Sequence, residues 1–76
     1  MKRKRQFPFR KVSDLEADIA ATEATVAALD VTLADGEVYR DGRRFTKLCA
    51  EQEANRARLT QLIAHWEEAV ELNGDR

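Results

Sequence analysis

Helix breakers are scarce in this chain: one proline and three glycines in 76 residues. With so few, long uninterrupted helices are possible, and the prevalence of Ala, Glu, Leu and Arg is that of a long helix or coiled coil. A single cysteine, Cys49, excludes an internal disulfide and fits a reducing compartment. No apolar run approaches the roughly 20 residues of a membrane span. The basic N-terminus runs into "QFPFRKVSD" rather than an apolar stretch, so it does not read as a signal peptide. The phosphate-binding pattern GxxxxGK[ST] is missing, as are GxGxxG, GxSxG and HExxH. His65 lies roughly 24 Å along a helix from Cys49, so the two cannot share a metal. Pairing His65 with Glu68 or Glu71 supplies two ligands, too few for zinc. An exposed structural histidine is therefore expected at 65, and solvated charge at Glu67 and Glu68. No enzyme activity and no cofactor are expected.

What the chain has in abundance is charge, unevenly spread. Lys2, Arg3, Lys4, Arg5, Arg10 and Lys11 fall within the first eleven residues, with no acid among them. The remainder carries seven basic and fourteen acidic residues, a net of about −7. A basic arm on an acidic body suits a polyanionic partner; the plainer reading is a solvated tail.

The expected fold is all-α, an antiparallel two-helix coiled-coil hairpin: a basic arm over 1–11, then a hairpin over 12–74. Its helices are expected at about 13–34 and 42–72, joined by a tip at 35–41. Ser13 with Glu16 is a capping-box pattern, and Asp14, Glu16 and Asp18 sit where the helix dipole favours acids. Val12, Leu15, Ile19, Thr22, Val26, Leu29 and Leu33 recur at heptad spacing. Helix two offers two seams, one through Leu48, Leu62 and Ala69, the other through Cys49, Ile63 and Val70. The sequence leaves that choice open. Asp35-Gly36 is read as a left-handed stop for helix one, and Asp41 as the cap of helix two. Val38 and Tyr39 are expected to fold over Leu33 and Phe45 as a lid. Antiparallel register then places Val26 by Gln52, Ile19 by Leu59, Leu15 by Ile63 and Val12 by Trp66. The waist is polar, with Thr22, Gln52, Asn55 and Arg56, which costs stability and specifies register. Phe7, Pro8 and Phe9 can run back beside Trp66 and Val70. Trp66 is expected in the core, and Leu59 as a buried leucine.

The segments "FRKVSDLEADIAATEATVAALDVTLAD", "VYRDGRRFTKL" and "RLTQLIAHWEEAVEL" together resemble the C-terminal domain of the ABC-F ATPases, Uup type. Phe9-Arg10-Lys11 matches a "SYK"-like lead-in and Asp14-Leu15-Glu16 an "ELE" helix start. Leu33 to Tyr39 matches a "LADPELY"-like tip, and Trp66-Glu67-Glu68 the "RWEEL"-like close. Gly36 replaces the usual tip proline, and His65 stands where Arg is common. The resemblance implies a cytoplasmic accessory module that follows two ATP-binding cassettes after a basic linker, in a parent ATPase working at the ribosome. It further implies DNA or RNA binding. The cations expected to meet phosphates are Lys2, Arg3, Lys4, Arg5, Arg10 and Lys11 at the arm, and Arg40, Arg43, Arg44 and Lys47 at the tip. Asp35, Glu37 and Asp41 dilute the tip, so the arm is expected to dominate. The rival reading is a structural or self-associating coiled coil, whose wide helix-two stripe would bury its spare edge in a dimer.

Overall fold

The computed structural model describes residues 4–73. It is a helical hairpin: α1 spans Val12–Leu33, α2 spans Gly36–Arg40 and α3 spans Gly42–Asn73. The molecule measures 54 × 19 × 14 Å, a rod with the turn at one end and the start of α1 beside the end of α3 at the other. No described helix is long and apolar enough to cross a membrane.

The helix boundaries lie close to those the punctuation predicts, but the caps differ. Lys11, not Ser13, is the N-cap of α1, and it makes no side-chain capping bond. Its carbonyl accepts from the backbone N–H of both Asp14 and Leu15 at 3.1 Å. The Ser13 capping box therefore does not form, because Ser13 already lies inside the first turn. Asp14 still sits at the dipole's positive end, where an acid is favourable.

At the tip, α1 closes on Ala34 in the right-handed region, at φ −81° and ψ −9°. Gly36 is not left-handed; it opens α2. Asp35 caps that short helix by accepting from the Glu37 N–H at 2.9 Å. Asp41 then closes α2 and caps α3, accepting from the Arg44 N–H at 3.1 Å. The expected loop is thus a helical turn between two aspartate caps, and no left-handed residue is needed to reverse the chain.

Val38 is the lid, 2% exposed. Burying a valine in this way is worth about 1.5–3 kcal/mol. Tyr39 only half fits the expectation. Its ring meets Phe45 edge-on at 5.2 Å, but the residue is largely exposed.

The main core lies at the open end. Leu15, Leu62 and Ala69 are buried together, with Val12, Ile19 and Trp66 packed at the edge. This decides between the two seams of α3 in favour of Leu62 and Ala69. Ile63, expected opposite Leu15, stays 39% exposed. Leu59 is half-buried rather than buried. Trp66 is half-buried too, and its indole N–H donates to Glu16 at 3.1 Å. A rotation of α3 by one position carries all three toward one flank.

The polar waist is present. Buried Gln52 donates through Nε2 to the Val26 carbonyl at 3.0 Å and to Asp30 at 2.6 Å. Arg56 pairs with the same Asp30 oxygen at 3.0 Å. Thr22 turns its hydroxyl back to the Asp18 carbonyl at 2.8 Å. Asn55 likewise bonds within its own helix, to Glu51. The link from Gln52 to Val26 and Asp30 is directional, so a slipped register would leave a buried amide unpaired.

Candidate nucleic-acid interface

Apart from Arg56 and Arg58 in the middle of α3, the described basic residues gather at the two ends of the rod. At the tip, Arg43, Arg44 and Lys47 occupy the first turns of α3 and are exposed. Residues three and four apart share a helix face, so Lys47 stands beside both arginines. No acid occupies this first turn. Three cations at the positive end of a helix dipole repel both the dipole and each other. Asp35 and Asp41 are spent on backbone caps. Arg40 reaches Glu37 at 3.4 Å, a pair exposed on both sides and worth little. Among the described residues, Arg43, Arg44 and Lys47 make no ion pair. Their placement costs helix stability and gains no ion pair among the described residues.

The arm is different, because it is partly fastened. Lys2 and Arg3 lie outside the described residues. Lys4, Arg5 and Lys11 are exposed. Arg10 is half-buried and held by Asp18 at 2.8 Å, so the fold itself uses this arm cation. Its carbonyl accepts from the Asn73 side chain at 2.8 Å.

Two further residues of α3 hold the arm, and both correct the sequence reading. Glu68 is fully buried, not solvated. Its carboxylate accepts the backbone N–H of Gln6 and of Phe7, the latter at 2.9 Å. Charge-assisted bonds of this kind are about twice as strong as neutral ones. His65 is buried, not exposed. Its Nε2 lies 2.7 Å from the Pro8 carbonyl. A carbonyl only accepts, so Nε2 carries the proton. The Phe7 ring stacks on the imidazole at 4.7 Å and 15°. Proline at 8 has no N–H to leave unpaired. The arm from Gln6 to Arg10 is therefore laid along the open end in a defined path.

Sequence reasoning missed Glu68 and His65 because it had no partner to offer them. A signal did exist. Leu62, His65, Ala69 and Leu72 follow helical spacing along one face, and Glu68 lies beside it, so a third strand of chain was needed to cover that edge. Among the described residues, no three His, Cys, Asp or Glu side chains cluster to hold a metal.

The family model for the ABC transporter C-terminal domain matches residues 2–71, nearly the whole chain. No curated protein and no solved structure matches it.

Proposed function

The chain belongs to the ABC transporter C-terminal domain family, and we propose that it is a nucleic-acid-binding accessory domain of an ABC-F protein of the Uup type, with no catalysis of its own. On this reading ATP hydrolysis belongs to the parent's cassettes, and the domain serves a cytoplasmic protein that acts at the ribosome. The observation that carries the proposal is the set of exposed cations at both ends, for which the fold has no use. At the tip, Arg43, Arg44 and Lys47 oppose a helix dipole that any stability optimum would meet with acids. At the arm, Lys4 and Arg5 are exposed, next to the segment that Glu68 and His65 hold.

Contacts of this kind go to phosphates. They supply affinity and position but little sequence readout. The arm carries the larger share, since acids surround the tip. The clusters stand at opposite ends of a 54 Å rod, so one short duplex site need not touch both.

The test is a titration on short duplex DNA and RNA at two salt concentrations. Three proteins are compared: the whole chain, a deletion of residues 1–5, and R43Q/R44Q/K47Q. The whole chain should lose affinity steeply with salt, with up to about six counterions released at the arm. The deletion stops short of Gln6, so the fastening to Glu68 survives and the fold with it. It should remove most of the affinity and flatten the salt slope. The tip variant should lose less. Equal affinity in the deletion and the whole chain would move the site to the tip. No binding by any of them would favour a structural coiled coil.

A further inference from the structure

On the flank away from the arm, α1 and α3 leave an open groove of about 310 Å³, lined by Glu16, Ile19, Ala20, Glu23, Ile63 and Trp66. Its floor is apolar, and its rim is acidic. Glu16 and Glu23 lie two helical turns apart, roughly 10 Å. No Lys or Arg occurs anywhere in α1 to offset them. The arm at Arg10 lies on the other flank: Arg10 pairs with Asp18, which lies about 200° round the helix from Glu16 at 100° per residue.

The same chain carries a shape of opposite character. Phe9 is 64% exposed, and the Arg5 guanidinium lies 5.6 Å from its ring centroid. One exposed aromatic is ordinary in itself. This one is held from both sides. The Pro8 carbonyl is fastened by His65 and the Arg10 carbonyl by Asn73, while the Arg10 side chain is fastened by Asp18. Its backbone is ordered before any partner arrives, which removes part of the entropic cost of docking.

We propose that the groove receives the Phe9–Arg5 knob of a second copy of this chain. The ring enters between Ile19, Ile63 and Trp66, and Arg5 with Lys4 answers Glu16 and Glu23. Groove-to-groove pairing of two copies is disfavoured, because it would set Glu16 and Glu23 against their own equivalents. Knob and groove lie on opposite flanks of the open end, so each copy offers its knob to the groove of the next, and the contact runs head to tail rather than closing on two copies. This goes beyond nucleic-acid binding and is tested without nucleic acid.

The experiment is sedimentation of the whole chain over a concentration series at low and high salt. The indole N–H signal of Trp66, the chain's one tryptophan, is followed in parallel by NMR. Self-association that grows with concentration, weakens with salt and shifts the Trp66 signal is expected. F9A should weaken it about tenfold or more and leave the thermal melt unchanged, since the ring is exposed in the single chain. E16Q/E23Q keeps an acceptor for Trp66 and should flatten the salt dependence. A monomer at every concentration would overturn the proposal. So would a self-association that F9A leaves as tight, or a salt dependence that E16Q/E23Q leaves intact. A monomer whose Trp66 signal moves only with an added aromatic peptide flanked by Lys and Arg would assign the groove to a foreign partner instead.

Discussion

The tip and the open end solve the same problem, how to finish a two-helix rod, by different means. The tip is finished by neighbours in sequence: Asp35 caps two residues ahead, Asp41 caps three ahead, and Val38 folds under its own turn. The open end is finished by partners 57 to 63 residues apart, with Glu68, His65 and Asn73 holding the arm. Local finishing costs little loop-closure entropy and is worth tenths to about one kcal/mol per cap. Long-range finishing buries a carboxylate and an imidazole, which is tolerable only with every contact in place. The open end should therefore fail abruptly under mutation and the tip gradually.

The largest effect should come from the core beneath the arm. Leu15 is fully buried against Leu62 and Ala69, so Leu15→Ala should cost roughly 2–5 kcal/mol. Leu59 is only half-buried, and its truncation should cost about half as much, in proportion to the area it hides. Urea titrations of both variants measure the difference. Equal losses would place Leu59 in a tighter layer than the structure gives it.

Glu68→Ala comes next. It removes the acceptor of two backbone N–H bonds, each worth about 1.5–3 kcal/mol when the acceptor is charged. Part of that is recovered, because Gln6 is exposed and its N–H can meet water. A net loss of about 2–3 kcal/mol is expected, with the arm released. Hydrogen exchange at Phe7 should then rise toward that of an open chain. Protection that survives the substitution would mean His65 and Phe7 suffice to hold the arm.

The same contrast explains what the sequence revealed. Helical periodicity and Asp caps are local signals, so the hairpin, its two long helices and the cap at Asp41 were legible. The waist was legible too, since Gln52 interrupts an apolar seam. Glu68 was not, because a glutamate at that position looks like any solvated acid until Gln6 and Phe7 are brought to it. His65 was misread for the same reason. The choice of seam depended on the arm as well. Once the arm covers the His65 and Glu68 flank, Leu62 and Ala69 turn inward and Ile63 and Trp66 are left at the groove. Of the expected nucleic-acid contacts, Arg10 is drawn into an ion pair with Asp18 across the fold, and Arg40 into an exposed one with Glu37.

Asp41→Ala at the tip should cost about 1 kcal/mol, the usual loss of an N-cap. α3 continues for 32 residues beyond it, so the loss should appear as fraying of the first turn rather than unfolding. Exchange at Arg44, whose N–H the aspartate holds, is the measurement. A loss as large as that of Glu68→Ala would show the tip to be as cooperative as the open end.

The smallest effect carries the sharpest sign. If Gly36 ended α1 in the left-handed conformation, as Asp-Gly before a short break leads one to expect, alanine there would be strained and destabilising. In the structure Gly36 instead opens α2 behind the Asp35 cap, and a Cβ built on it meets nothing within 4 Å. Alanine then loses no contact and restricts the unfolded chain more than glycine does. Gly36→Ala should therefore stabilise by about 0.4–1 kcal/mol. Gly42→Ala, at the first position of α3 and equally open, should behave the same way. Thermal melts of the two variants decide the matter by direction alone. A rise for both supports a tip built as a helical turn. A fall for Gly36→Ala with a rise for Gly42→Ala would put the left-handed stop back at residue 36 and remove α2 from the tip.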